Sequence, residues 1–194
     1  MVMKNRKKIL IISLTLLASF TCAAETVTKG MKKVIDDALD FSVKQSMSMF
    51  YEMKDQKGIL PRTAENGKMI TCESAWWTSG FYPGTLWYCY EYSNDPQIRA
   101  AAEEMTSRVE KQKYTTSNHD VGFIINCSFG NGYRLTHNET YRKVIETAAK
   151  SLSTRFHPVT GCTRSWNSKK WQFSVIIDNM MNLELLNVAS SLTG

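Results

Sequence analysis

One turn pattern occurs twice in this sequence and begins a third time at its end. Tyr-Ser-Asn-Asp at 92–95 is followed by Ile-Arg at 98–99, and Leu-Thr-His-Asn at 135–138 is followed by Tyr-Arg at 141–142. Each copy joins an apolar stretch to a more polar one, and Leu-Thr-Gly at 192–194 starts a third copy. Repeated helix pairs predict an all-α protein, an α/α array or barrel with the apolar helices inside.

The hydrophobic pattern predicts six helices after residue 24. The first has an apolar side formed by Val34, Leu39, Phe41, Met47, Phe50 and Tyr51. A loop rich in turn residues, at about 58–74, separates it from the second helix. Asp95 and Pro96 open the third helix as an N-cap and a proline at the first helical position. The later helices are predicted at 80–92, 96–114, 121–135 and 139–156, and the sixth begins near Asp178.

Residues 1–24 have the three parts of a secretory signal peptide. A basic start is followed by an apolar run at 9–20, and Cys-Ala-Ala at 22–24 supplies small residues for cleavage before Glu25. The apolar run is too short to span a membrane. We expect cleavage after Ala24 and export across the inner membrane to the periplasm, leaving a mature domain of residues 25–194. Lipid attachment at Cys22 is the alternative.

The basic charge is concentrated in this leader. The sequence has a formal net charge of +6, and residues 1–24 hold four basic and no acidic residues, which leaves about +2 for the rest. A nucleic-acid interface needs a clustered basic face, so no nucleic-acid partner is predicted. The later cysteines lack zinc-site spacing, so we expect structural cysteines, no metal and no cofactor, with the pairing left open. They are Cys72, Cys89, Cys127 and Cys162.

The segments that lead into the apolar helices are long, whereas the turns that follow these helices are short. The long segments carry Trp76, Trp77, His119, Asp120, Trp166 and Trp171. These residues fall at one end of the array, around the N-termini of the inner helices. Free N–H groups and the helix dipole favour an anionic ligand there, so a functional site is expected at this end.

Asp178 and Asp120 each begin an apolar helix, and each has two interpretations. Aspartate is a favoured N-cap, because its oxygens accept hydrogen bonds from the first free N–H groups of a helix. Alternatively, the two carboxylates form a general acid/base pair, with the pKa of Asp178 raised by apolar surroundings. His119 is either a hydrogen-bonded turn residue or part of that site. The tryptophans either pack in the core or stack on sugar rings.

Three segments resemble the unsaturated glucuronyl hydrolases of glycoside hydrolase family 88. They are Trp-Thr-Ser-Gly-Phe-Tyr-Pro-Gly-Thr-Leu-Trp at 77–87, His-Asp-Val-Gly-Phe at 119–123 and Ile-Ile-Asp-Asn-Met-Met-Asn-Leu at 176–183. The resemblance covers about 32–194 and implies an (α/α)6 barrel of six helical hairpins, with about three present here. It also implies an enzyme that removes 4,5-unsaturated uronic acid from the non-reducing end of lyase-generated oligosaccharides, such as glycosaminoglycan fragments.

The same resemblance implies roles for particular residues. Asp178 would be the general acid/base that hydrates the vinyl ether of the substrate. Asp120 would remain ionised, orient the sugar and stabilise developing positive charge. The sugar subsite would be lined by Trp77, Phe81, His119 and Trp166.

The sequence stops where the outer partner of the sixth helix is expected, which predicts a truncated half-barrel with an uncovered inner face. Apolar side chains on this face, such as Phe123 and Leu183, would favour self-association. Two other functions stay open. One is an unsaturated rhamnogalacturonyl hydrolase, which would act on pectin-derived oligosaccharides. The other is an inactive remnant that binds glycans weakly through Trp77 and Trp166.

Overall fold

The computed structural model describes residues 27–194. The predicted signal peptide, with Cys22 and the cleavage site after Ala24, lies outside the described residues. Contacts divide the chain into two units, of which the second consists of residues 39–194 and the first includes the described residues before 39. Helix α1 (Lys29–Met53) begins in the first unit and ends in the second, which contains every later element. No helix within 27–194 is long and apolar enough to cross a membrane.

Helices make up most of the described chain, and two antiparallel hairpins interrupt them. The hairpins are β1 (Ile59–Glu65) with β2 (Lys68–Glu73), and β3 (Phe156–His157) with β4 (Cys162–Thr163). The helices after α1 are α2 (Phe81–Ser93), α3 (Pro96–Ser107), a 3-10 helix (Glu110–Tyr114), α4 (Val121–Ile125), a π-helical turn (Asn126–Gly130), α5 (Asn131–Thr136), α6 (Glu139–Ser153), α7 (Asn179–Asn182) and α8 (Glu184–Thr193).

The apolar helices form a continuous inner row. The first inner helix is α2, the second runs through α4, the π-helical turn and α5, and the third consists of α7 and α8. Each inner helix packs against the next, and α3 and α6 pack outside the first and the second. The all-α class and the arrangement of inner and outer helices are therefore confirmed.

Two buried apolar clusters hold these layers together. One contains Trp87 and Met105, and the indole N–H of Trp87 donates to the hydroxyl of Thr106 at 2.9 Å, which joins α2 to α3. The other contains Ile145 and Leu185 and lies between α6 and the second and third inner helices. Burial of such side chains is the main favourable contribution to the fold.

The inner helices approach so closely that glycine is required at two positions. A Cβ atom on Gly80 would lie 2.6 Å from the Cα of Ile124, and one on Gly122 would lie 2.6 Å from the Cα of Asn182. Both distances are well inside van der Waals contact, so a larger residue would force the helices apart. The two glycines therefore set the helix spacing at the end of the row where the polar segments enter.

The repeated turn pattern has one conformation in all its copies. Asn94 and His137 end inner helices in the left-handed region, with φ of 54° and 53°, and Gly194 ends α8 at positive φ. Asp95 and Asn138 then cap α3 and α6 by accepting from the N–H two residues later. The predicted N-cap at Asp95 is confirmed.

Three predicted element boundaries are wrong. The segment expected to be a loop at 58–74 contains β1 and β2, which meet at Asn66 and Gly67, both at positive φ. An Asn-Gly pair between short strands is a strong hairpin signal that the loop prediction overlooked. The predicted helix at 96–114 breaks after Ser107, and the one at 139–156 ends at Ser153.

The first helix also departs from expectation. Its predicted apolar side is largely exposed, including Val34, Phe41 and Tyr51, and its buried residues are Ser46 and Met53. The four cysteines of the described chain are all free thiols.

Candidate active site

The polar residues meet at the N-terminal ends of the inner helices, where the sequence predicted a site. Gly80 and Gly122 mark equivalent positions in the first and second inner helices. Two residues before them lie Thr78 and Asp120, and the matching position of the third inner helix is Asp178. The helix repeat therefore presents three polar side chains at the same level of the row.

His119 lies between the two carboxylates. Its Nε2 is 3.6 Å from Oδ1 of Asp120 and 3.5 Å from Oδ2 of Asp178. The histidine side chain is 1% exposed, whereas those of Asp120 and Asp178 are 21% and 34% exposed. The structure thus brings together the three polar residues selected from the sequence, with the carboxylates more accessible than the imidazole.

The hydrogen bond between Asn179 and His119 determines which ring nitrogen of His119 is free to face the two carboxylates. Its Nδ2 donates to the carbonyl oxygen of Thr163 at 2.6 Å, so its Oδ1 faces Nδ1 of His119, also at 2.6 Å. An amide oxygen can only accept, and therefore Nδ1 must carry a hydrogen. The nitrogen left to share a proton with Asp120 and Asp178 is Nε2.

The segment around Ser165 connects the two halves of the site. Asn118 and Trp166 form an antiparallel bridge, and the N–H of His119 donates to the carbonyl oxygen of Ser165 at 2.8 Å. The hydroxyl oxygen of Ser165 accepts from the N–H of Ile176 at 3.0 Å. The carbonyl oxygen and the hydroxyl of Ser165 therefore link the approach to α4 with the approach to α7.

Neither aspartate caps its helix. Asp120 and Asp178 occupy the N-cap positions of α4 and α7, but their backbones are helical and neither side chain accepts a capping hydrogen bond. A capping side chain normally requires an extended backbone at that position. The N-cap interpretation is therefore wrong for both residues. Oδ1 of Asp178 is buried and has no hydrogen-bond partner among the described residues.

Burial raises the pKa of Asp120 above its ordinary value. A positive charge on His119 counteracts this rise, the negative charge of Asp178 adds to it, and Arg155 lowers the pKa again. The effect of burial predicted for Asp178 stays a prediction.

Aromatic rings form a wall beside the carboxylates. Trp77, Phe81 and Phe123 contact one another with ring centroids 5.5 to 6.2 Å apart. Trp166 packs edge-on against His119, with centroids 6.0 Å apart. Between 37 and 44% of the surface is exposed in Trp77, Phe81 and Trp166. These rings are therefore not fully packed in the core and can contact a ligand. Phe123 is the member of this wall not assigned to the sugar subsite from the sequence.

Two other tryptophans of the lead-in segments have cationic partners instead. The guanidinium of Arg62 lies 4.0 Å from the ring centroid of Trp76, and the amine of Lys170 lies 5.0 Å from that of Trp171. These are cation–π contacts.

The central three residues also meet a geometric requirement for cation binding. His119, Asp120 and Asp178 each offer one ligand atom, and these atoms lie within 4.8 Å of one another. Imidazole and carboxylate donors suit divalent transition metals. The expectation of a site without metal therefore stays a prediction.

Asn179 and Asn182 were missed as site residues. Both are buried, and Oδ1 of Asn182 accepts from the N–H of Phe123 at 2.8 Å, which joins the third inner helix to the second. The sequence does contain a signal. Two asparagines three residues apart share one helix face, and amides on a buried face need fixed partners.

Several known proteins are similar to this chain in sequence. No family model matches the sequence. An unsaturated glucuronyl hydrolase of Formosa agariphila is 46% identical over 121 residues, which are 61% of this chain and 30% of that protein. An unsaturated chondroitin disaccharide hydrolase of Streptococcus pyogenes serotype M1 is 32% identical over 167 residues, 82% of this chain and 41% of that protein. The chain is similar to unsaturated glucuronyl hydrolases, and it covers less than half of the length of each of these relatives.

Solved structures of unsaturated glucuronyl hydrolases share its fold. One that is specific for heparin matches with a TM-score of 0.73 and 39% identity, over 81% of this chain and 43% of that one. The enzyme of Bacillus sp. GL1, responsible for the degradation of glycosaminoglycan, matches with a TM-score of 0.70 and 26% identity, over 80% and 44%. The predicted α/α barrel is confirmed, and the chain spans less than half of each of these unsaturated glucuronyl hydrolases.

Proposed function

We propose that residues 25–194 form the N-terminal half of the catalytic domain of an unsaturated glucuronyl hydrolase. The observation that carries the proposal is the placement of His119 between Asp120 and Asp178 beside a partly exposed aromatic wall. The relationship to unsaturated glucuronyl hydrolases supports it. The substrate would be an oligosaccharide that carries a 4,5-unsaturated uronic acid at its non-reducing end.

The reaction requires a proton donor and a water molecule at the double bond. Asp178 donates a proton to C4, and the positive charge that develops at C5 is shared with the ring oxygen. Water adds to C5 and returns a proton to Asp178, which gives a hemiketal. The hemiketal opens by breaking the bond between C5 and the ring oxygen, which leaves a ketone at C5 and a hemiacetal at C1. The hemiacetal then breaks its bond between C1 and the glycosidic oxygen, so that C1 becomes an aldehyde and the remaining saccharide leaves as an alcohol. No carboxylate has to attack the anomeric carbon, unlike in retaining glycosidases.

The surroundings of the two aspartates favour different roles. Oδ1 of Asp178 is buried and has no hydrogen-bond partner among the described residues, and we assign Asp178 the role of proton donor. Asp120 has a pKa that burial raises and His119 counteracts, and in neutral solution we assign it the charged role of orienting the sugar. Trp77, Phe81 and Trp166 would stack on the apolar faces of the sugar, with His119 beneath.

A pair of substrates tests the reaction. Residues 39–194, which form one unit, would replace the matching segment of the heparin-specific relative, so that the remaining hairpins complete the pocket. We expect the chimera to consume an unsaturated heparin-derived disaccharide, with loss of the ultraviolet absorbance of its double bond, and to leave the saturated disaccharide intact. Cleavage of both substrates would contradict the hydration mechanism. Preference for a pectin-derived unsaturated disaccharide would identify the rhamnogalacturonyl alternative.

We further propose that the protein is exported to the periplasm and that the mature chain begins at Glu25. The tripartite pattern of residues 1–24 supports this proposal. N-terminal sequencing of protein from the periplasm of a bacterial host should read Glu-Thr-Val. A lipid-modified Cys22 at the N-terminus would identify the anchored alternative.

A further inference from the structure

A cavity of about 580 Å³, lined by polar side chains together with Phe156 and Phe173, lies next to the second hairpin, beside the segment that approaches His119. Its lining includes Thr116, Arg155, His157, Arg164, Asn167 and Gln172. Two of these side chains are cationic, the others carry hydrogen-bond donors, and no carboxylate lines the cavity. Such a lining is complementary to an anion.

Arg155 is the most informative residue in this cavity. It is 7% exposed, its Nε donates to the carbonyl oxygen of Arg164 at 2.7 Å, and its Nη1 donates to that of Thr116 at 2.5 Å. Its Nη2 is buried and has no hydrogen-bond partner within 27–194. A buried guanidinium nearly always pairs with an anion, because an uncompensated buried charge is costly.

A second positive charge lies close to the first. Burial lowers the pKa of Arg155, the charge of Arg164 lowers it further, and the charge of Asp120 raises it. Neither arginine forms an ion pair with a carboxylate among the described residues. The attraction to Asp120 offsets part of the repulsion between the two guanidinium groups, and an anion in the cavity, next to both, would offset more of it.

The surrounding sequence has the same charge bias. Between Glu146 and Asp178 the chain contains no acidic residue. The basic residues of this stretch are Lys150, Arg155, Arg164, Lys169 and Lys170. Local carboxylates therefore cannot neutralise the cavity from within its own segment.

We propose that this cavity is a binding site for a single oxyanion, a sulfate or a carboxylate, held by Arg155 and Arg164 with His157, Asn167 and Gln172 as further donors. Arginine suits this role because its planar donors match the oxygens of such groups.

The location of the cavity connects it to the sugar site. Thr116 is three residues before His119, and the Nε of Arg164 donates to the carbonyl oxygen of Trp166 at 3.1 Å. Trp166 in turn packs against His119. Resting on the proposed function, we identify the anion as a charged substituent of the saccharide that extends beyond the unsaturated sugar. The binding of the oxyanion itself does not depend on that function.

Equilibrium dialysis of the whole chain with radiolabelled sulfate tests the site without requiring turnover. At constant ionic strength in chloride, we expect one sulfate bound per chain. Arg164→Gln should weaken sulfate binding at least tenfold, because it removes one of the two charges while leaving Arg155 in place. Lys143→Gln removes an exposed charge of α6, outside the cavity, and should leave binding unchanged.

Competition by small sugars identifies the source of the anion. Glucose 6-sulfate or glucuronate should displace the labelled sulfate, whichever group the site prefers, while neutral glucose should not. Equal loss of binding in the Arg164→Gln and Lys143→Gln variants, or no stoichiometric binding at all, would overturn the site. If sulfate binds but the chimera does not hydrolyse unsaturated disaccharides, the proposed function fails and the oxyanion site stands.

Discussion

At the scale of single residues, the site depends on how protons are distributed around His119. One nitrogen of this ring is committed to Asn179, and the other faces two carboxylates that differ in exposure and partners. The chemistry of the site therefore depends on a side chain, Asn179, that need not touch the substrate.

Asn179→Leu should disturb the ring directly. The variant leaves the buried N–H of His119 without an acceptor, which costs roughly 1–3 kcal/mol of unfolding free energy. In ¹⁵N-histidine-labelled protein, Nδ1 of His119 should be protonated in the wild type and lose this fixed state in the variant. Asn179→Asp keeps the acceptor and should keep Nδ1 protonated.

The sequence contains three histidines, so His137→Gln and His157→Gln suffice to assign the signals. An unprotonated Nδ1 in wild-type His119 would contradict the hydrogen bond to Asn179.

Asp120→Asn should change stability in a pH-dependent way. A carboxyl whose folded-state pKa is raised binds its proton more tightly in the folded state, so the wild type loses stability as the pH rises from the unfolded pKa through the folded pKa. We therefore expect the variant to be more stable than the wild type at neutral pH, with the gain disappearing below about pH 3.9. Urea unfolding of both proteins across this pH range measures the difference in their free energies of unfolding. Exposed Asp55→Asn is the control, and a gain independent of pH would contradict the raised pKa of Asp120.

At the scale of the elements, the glycine contacts determine how the helices bring the aspartates together. Asp120 lies two residues before Gly122, whose Cα packs on the backbone of Asn182 in the third inner helix. Asn182 lies only four residues after Asp178. A change in helix spacing at this contact therefore changes the distance between the two carboxylates.

Gly122→Ala should destabilise the protein, although alanine favours helices. The added Cβ would lie 2.6 Å from the Cα of Asn182, and overpacking of this kind typically costs about 1–3 kcal/mol. Gly30→Ala is the matched control, since its Cβ meets nothing within 4 Å and the change should be neutral or stabilising by up to about 1 kcal/mol. Chemical denaturation measures the free energy of unfolding of both variants. Equal changes in the two variants would show that the inner helices tolerate a larger spacing.

The sequence predicted the elements that local chemistry specifies. The cap at Asp95 and the apolar inner helices follow from residue preferences and periodicity, and the family motifs located His119 and the two aspartates. Contacts between distant segments were not predictable in this way. Asn179 acquires its role only when Thr163 and His119 fold against it, and the pairing of β3 with β4 involves two residues on each side.

At the scale of the whole molecule, an apolar face beside the third inner helix remains accessible. Ile177, Met180 and Met181 are 85%, 68% and 65% exposed. An adjacent cavity of about 610 Å³ includes Val175 and Leu186 in its lining. This face of the third inner helix is equivalent to the face of the second inner helix that packs against the third.

We expect the 194-residue chain to self-associate through this face. Burying one such side chain is worth roughly 1.5–3 kcal/mol, so two or three of them provide a substantial driving force for association. Light scattering after size-exclusion chromatography should show dimers or larger species that bind the dye ANS. Met180→Lys with Met181→Lys should shift the chain towards monomer, whereas Lys143→Gln should not. A monomeric wild type without ANS binding would contradict this expectation.

The central claim, that Asp178 is the acid of an unsaturated glucuronyl hydrolase, is tested most directly by Asp178→Asn in the chimera with the heparin-specific relative. The measurement is the rate at which the double-bond absorbance of an unsaturated disaccharide disappears, with the thermal unfolding midpoint as a check on folding. General acid–base groups contribute about 100- to 10,000-fold, so we predict a loss of kcat within that range at an unchanged midpoint. A folded Asp178→Asn chimera that turns over at the wild-type rate would contradict the account.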